Sequence, residues 1–110
     1  EALGATFRKD PHDAVRDADI IYLLRIQRER QEEGMFPSLD EYHQFFGADS
    51  KLMGSARPDA LVMHPGPINR RVEISSEVAD GPQSMILGQV RSGVALRMAL
   101  LFVCLGGVRQ

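Results

Sequence analysis

Two short runs of uninterrupted apolar residues, Ile20-Ile21-Tyr22-Leu23-Leu24 and Ala60-Leu61-Val62-Met63, constrain the fold of this chain more than any other feature. Neither run alternates polar and apolar side chains, so each predicts a strand covered on both faces, as in a parallel sheet. Ahead of the first run, Asp10-Pro11 supplies an N-cap and a proline at the first helical position. The expected helix, Pro11–Ala18, turns Ala14, Val15 and Ala18 toward a sheet, and Ala5-Thr6-Phe7 reads as the end of an earlier strand. Strand, helix and strand in close succession predict an α/β fold.

Downstream, Ser38-Leu39-Asp40-Glu41 matches a capping box, with Leu39, Tyr42, Phe45 and Phe46 as the apolar stripe and Gly47 as the stop. Residues 48–56 suggest another short helix, and Ser75–Ala79 a turn or helix. A long helix is expected from about Gln83 to Leu105, ended by Gly106-Gly107. Its most apolar part, Val94–Leu105, is shorter than the roughly 20 helical residues a bilayer requires, so it reads as a buried helix with Cys104 as an inert core thiol.

The 110 residues carry 13 basic and 15 acidic side chains, a net charge of -2. That balance argues against nucleic acid or an anionic membrane as a partner, since both attract a surplus of positive charge. A single cysteine excludes an internal disulfide and fits a reducing, cytoplasmic setting. The start, Glu1-Ala2-Leu3-Gly4, has neither the basic residues nor the apolar run of a secretory leader. His12, His43 and His64 lack metal-ligand spacing, and no metal site is expected.

In open parallel sheets, ligands bind beyond the carboxyl ends of the strands. Arg25 and Gln27 follow the first apolar run, and His64-Pro65-Gly66-Pro67 follows the second. If the strands are neighbours, both groups meet in one cleft. Arg25 offers a planar fork for a carboxylate, and Gln27 adds a donor and an acceptor. In the turn only His64 and Gly66 have backbone N–H groups, so carbonyl oxygens dominate and suit a ligand amine or NH2. The plain alternatives are a surface ion-pair arginine and an ordinary Pro-Gly-Pro turn. On spacing alone, the reading is part of an α/β domain with a candidate anion site.

The same stretches resemble the aspartate/ornithine carbamoyltransferase family, and most of all the catalytic chains that use aspartate. The likeness runs through residues 17–30, Met63-His64-Pro65-Gly66-Pro67-Ile68-Asn69-Arg70, residues 72–82 and residues 89–101. It implies a Rossmann-like parallel sheet flanked by helices. Residues 1–82 would be the C-terminal part of an aspartate-binding domain. Residues 83–110 would form a C-terminal helix packing back toward a carbamoyl-phosphate domain outside this sequence. The implied reaction transfers the carbamoyl group of carbamoyl phosphate to L-aspartate, giving N-carbamoyl-L-aspartate and phosphate for pyrimidine synthesis, with no cofactor. Arg25 and Gln27 would bind aspartate, Gly66 and Pro67 with Pro65 beside them would hold carbamoyl phosphate, and the Gly66–Pro67 bond would be cis.

The family's phosphate-binding Ser-Thr-Arg-Thr stretch and its catalytic histidine do not occur here. These residues alone are therefore expected to be inactive, as a portion of a longer chain. The resemblance further implies a cytoplasmic homotrimer, with a regulatory chain or dihydroorotase as candidate partners. The rival readings are an ornithine carbamoyltransferase, which would carry Cys-Leu-Pro where Pro65-Gly66-Pro67 stands, and a non-catalytic relative serving assembly or regulation. A dinucleotide-binding domain is disfavoured, because no Gly-x-Gly-x-x-Gly is present.

Overall fold

The computed structural model describes residues 4–26 and 38–107. The elements run α1 (Pro11–Val15), β1 (Ile20–Tyr22), α2 (Leu39–Phe46), α3 (Ser50–Met53), β2 (Leu61–Met63), α4 (Ser76–Ala79) and α5 (Ile86–Cys104). Strands β1 and β2 pair in parallel, with Ile20 opposite Leu61, Ile21 opposite Val62 and Tyr22 opposite Met63. The bond from Leu23 N to Met63 O, 2.9 Å, carries the ladder one residue past β1. On its other edge β2 is held by the segment entering α5: Val62 N donates to Gln83 O and Met85 N to Val62 O, both at 2.8 Å. Val62 thus has backbone partners on both sides and no exposed surface. The result is an α/β arrangement, a parallel sheet flanked by helices with a long helix at its end.

Local chemistry sets most helix starts. Asp10, Ser38, Asp49 and Ser75 each cap a helix by accepting a hydrogen bond from a backbone N–H of its first turn. Gly47 ends α2 by turning to extended backbone at ψ 139° while its N–H still bonds His43 O, and a Cβ there would collide with the His43 ring. His43 in turn donates from Nδ1 to Val72 O at 2.9 Å, fastening α2 to the segment before α4. The core gathers Ile21 and Val62 from the sheet with Val15, Leu52, Ile74 and Ile86.

Four expectations need correction. No strand forms at residues 5–7, where Phe7 is 82% exposed and the described residues offer it no ladder partner. Helix α1 stops at Val15 rather than Ala18, and Ala18 N bonds back to Val15 O in a turn. Among the described residues, the strands are well covered on one face only. Ile21 and Val62 point into the core, while the opposite face leaves Ile20 53% and Tyr22 51% exposed. Strand side chains alternate, so helices on one side can cover only every second residue.

The fourth correction concerns α5. Instead of a buried helix, it carries one buried residue, Ile86, and Cys104 is exposed. Its 19 residues have a mean hydropathy of 1.5, enough by length and composition to cross a membrane, and longer than the apolar stretch read from the sequence. Leu87, Leu96, Met98, Leu101 and Phe102 lie open on several sides of the helix. Between β2 and α5 lies an open groove of about 510 Å³, lined by Leu61, Met63, Met85, Gly88, Gln89 and Leu96 among others. A helix apolar all round is ordinarily covered by something. The described residues cover only its beginning.

Candidate functional site

The polar groups of interest sit where both strands end. Because β1 and β2 are parallel and in register, the segment after Tyr22 and the segment after Met63 leave the sheet side by side. Arg25 is half-buried in the first of these, and Gln27 lies outside the described residues. The second begins with His64, which is fully buried, and continues through exposed Pro65, half-buried Gly66 and exposed Pro67. The Gly66–Pro67 bond is cis, and Gly66 has φ 67°. That left-handed conformation is one that residues with a Cβ seldom adopt.

A hydrogen-bond network holds the turn from behind. The His64 N–H donates to Gln89 Oε1 at 3.1 Å, and the Gly66 N–H donates to His64 Nδ1 at 2.8 Å. Both N–H groups of the turn are therefore occupied internally, and backbone carbonyls are what it offers a ligand. The same geometry fixes the imidazole tautomer. Nδ1 accepts from a backbone donor, so the ring proton is on Nε2, which donates to Glu73 Oε1 at 3.2 Å.

Glu73 is 3% exposed and collects further donors. The Asn69 backbone N–H bonds Oε1, and Asn69 Nδ2 bonds Oε2 at 3.2 Å. The Asn69 amide also donates to Ile26 O at 3.1 Å, tying the segment after β1 to the segment after β2. Gln89 makes a second crossing from α5, with Nε2 donating to Tyr22 Oη at 3.0 Å while Oε1 accepts from His64. Burial, then the nearby Glu73 carboxylate, push the Tyr42 phenol above its ordinary value. Farther out, Arg70 grips Asp80 through both guanidinium ends at 2.7 and 2.8 Å, and this holds the Asp80 carboxyl below the usual carboxylate range.

Of the site residues expected from sequence, Arg25 and Pro65-Gly66-Pro67 thus share one end of the sheet. Sequence reasoning assigned no role to Asn69, Glu73 or Gln89, which organise that end. The available signal was an acidic residue, Glu73, between the apolar Val72 and Ile74, and a glutamine, Gln89, near the start of a largely apolar helix. A buried carboxylate such as Glu73, and a half-buried amide such as Gln89, need partners. Among the described residues, no group of three or more His, Cys, Asp or Glu side chains is placed to hold a metal ion.

Comparison with known proteins bears on this arrangement. Residues 3–104 match the family model for the aspartate/ornithine carbamoyltransferase Asp/Orn binding domain. The aspartate carbamoyltransferase catalytic subunit of Syntrophotalea carbinolica is 58% identical over 107 residues, which are 97% of this chain and 34% of that protein. The catalytic subunit of the same name from Desulforapulum autotrophicum is 51% identical over 110 residues, 100% of this chain and 35% of the relative. Among solved structures, ornithine carbamoyltransferase from Pyrococcus furiosus has TM-score 0.74 and 30% identity, covering 91% of this chain and 32% of that one. Aspartate transcarbamoylase from Trypanosoma cruzi in complex with N-(phosphonacetyl)-L-aspartic acid has TM-score 0.68 and 30% identity, covering 83% and 27%. The chain spans about a third of the length of the curated relatives it matches.

Proposed function

Because this chain belongs to the aspartate/ornithine carbamoyltransferase family, we propose that it is the aspartate-binding portion of an aspartate carbamoyltransferase catalytic chain. The observation that carries the reading is the meeting of the Arg25 segment and the His64–Pro67 turn at the carboxyl ends of two paired parallel strands. Relatives named for aspartate at 51–58% identity support aspartate over ornithine, as does Pro65-Gly66-Pro67 in place of Cys-Leu-Pro.

In this reading Arg25 and Gln27 bind the carboxylates of L-aspartate, and Gly66 and Pro67, flanked by Pro65, hold carbamoyl phosphate through the turn backbone. The carbonyls of the turn orient the carbamoyl NH2, and the aspartate amine attacks the carbamoyl carbon. A C–N bond forms, the bond to the phosphate oxygen breaks, and the amine gives up a proton. Holding two anions in line for this attack is the main service of the site, because aligned reactants react far faster than free ones. Groups that stabilise the tetrahedral oxyanion would come from outside this sequence, so the 110 residues alone are inactive.

The same reading divides the chain into residues 1–82, the latter part of the aspartate domain with a Rossmann-like sheet, and residues 83–110, a helix packing toward a carbamoyl-phosphate domain. Such a domain would cover the apolar sides of α5. A membrane is the weaker cover, since Arg91 and Arg97 lie inside the helix and each costs about 2.5–3.5 kcal/mol near a bilayer centre. The complete enzyme is a cytoplasmic homotrimer in this proposal. A regulatory chain or dihydroorotase is the partner to look for.

The test is Arg25→Ala in the complete chain, with product formation followed for aspartate and for ornithine. Loss of a charge-assisted fork is worth about 1.5–3 kcal/mol, so KM for aspartate rises at least roughly tenfold while carbamoyl-phosphate affinity holds. Equal loss of both affinities would remove Arg25 from the aspartate site, and turnover of ornithine in place of aspartate would favour the rival enzyme.

A further inference from the structure

We propose that Asn69 is a positioning residue that couples the aspartate-binding segment to the carbamoyl-phosphate turn, working from Glu73 as a buried anchor. The inference rests on the roles proposed above for Arg25 and for Gly66-Pro67. One planar NH2 group makes the connection. Its two hydrogens go in different directions, one to Glu73 Oε2 at 3.2 Å and the other to Ile26 O at 3.1 Å. Ile26 directly follows Arg25, and Asn69 comes two residues after Pro67.

The anchor end of the connection is well held. A carboxylate removed from water persists only among donors. Glu73 has His64 Nε2, the Asn69 backbone N–H and the Asn69 side chain around it. His64 is itself pinned by the Gly66 N–H. Turn, imidazole, carboxylate and Asn69 amide therefore form one continuous chain of bonds ending on the carbonyl next to Arg25. A shift of the turn when carbamoyl phosphate binds is passed along that chain, since hydrogen bonds tolerate only a few tenths of an ångström before weakening. Packing alone has no such directionality. Asn69 is placed to make the Arg25 segment respond to the occupancy of the turn.

Calorimetric titration of the complete chain tests this, with succinate as the probe. Succinate has the two carboxylates of aspartate but no reactive amine, so binding is read without turnover. Its affinity is measured with and without saturating carbamoyl phosphate, and the ratio of the two is the coupling. Wild type is expected to bind succinate more tightly when carbamoyl phosphate is present. Asn69→Ala is expected to lose roughly fivefold of that ratio, the worth of one neutral hydrogen bond, with carbamoyl-phosphate affinity alone changed less than about twofold.

Glu73→Gln is the second variant, and it preserves size and one acceptor oxygen. Its new NH2 faces the Asn69 amide, and an Asn69 flip that relieves this turns an oxygen toward Ile26 O, so the coupling falls here as well. A wild-type ratio retained in either folded variant overturns the inference while leaving the function intact. A wild-type chain that binds neither succinate nor carbamoyl phosphate overturns both.

Discussion

Replacing His64 by Leu separates a hydrogen-bonding role from a packing role at the base of the turn. The two side chains are similar in volume and the site is fully buried, so a change in stability reports mainly on lost bonds. Two are lost. The Gly66 N–H gives up its acceptor at 2.8 Å, worth about 0.5–1.5 kcal/mol, and the Glu73 carboxylate gives up a donor at 3.2 Å, worth about 1.5–3 kcal/mol for a charged acceptor. The expected cost is therefore about 2–4.5 kcal/mol. His64→Asn sharpens the test. An asparagine oxygen can accept from the N–H two residues on, so it restores the Gly66 bond and costs about 1 kcal/mol less than Leu. Urea unfolding at neutral pH measures both, from midpoints at a common slope. A Leu variant within about 1 kcal/mol of wild type would refute the network, and an Asn variant no better than Leu would refute Nδ1 as the acceptor.

Two further outcomes follow from the surface. Leu101 is 62% exposed, so Leu101→Glu should change the stability of the 110-residue chain by no more than about 0.5 kcal/mol. In the complete chain it should cost about 2–4 kcal/mol if another domain covers α5, and equal effects in the two would count against that cover. The Arg70 fork depresses the folded-state pKa of Asp80. Its stabilisation is therefore complete above the unfolded carboxylate value of about 3.9 and is lost as pH falls through the lower folded value. Arg70→Met should flatten the acid side of the stability curve, measured as urea midpoints between pH 2 and 7, and an unchanged slope would discount the pair.

How much of the site was legible depended on the range of the interaction. Ser38 and Ser75 announced helix starts because a cap joins residues two or three positions apart. Pro65-Gly66-Pro67 announced a special turn for the same reason, since proline and glycine limit the backbone at their own positions. Glu73 carried no such mark. Its meaning comes from His64, nine residues earlier, and Asn69, four earlier, and the Asn69 to Ile26 bond spans 43 residues. The exposed faces of β1 and α5 were illegible for another reason. An apolar run states that cover is required, but says nothing of which chain segment supplies it.

By itself the sequence determined the order of the elements from the helix at Pro11 onward, the parallel α/β class and the two motifs that mark the family. All of these rest on short-range sterics, side-chain period and unusual residue combinations. Only the tertiary structure decided that the Arg25 segment and the His64–Pro67 turn lie side by side, that His64 holds its proton on Nε2, and that Asn69 and Gln89 bridge the strand ends. The physical reason is that hydrogen bonds and burial act across a few ångströms of space, and the register of two strands decides which distant residues come within that reach.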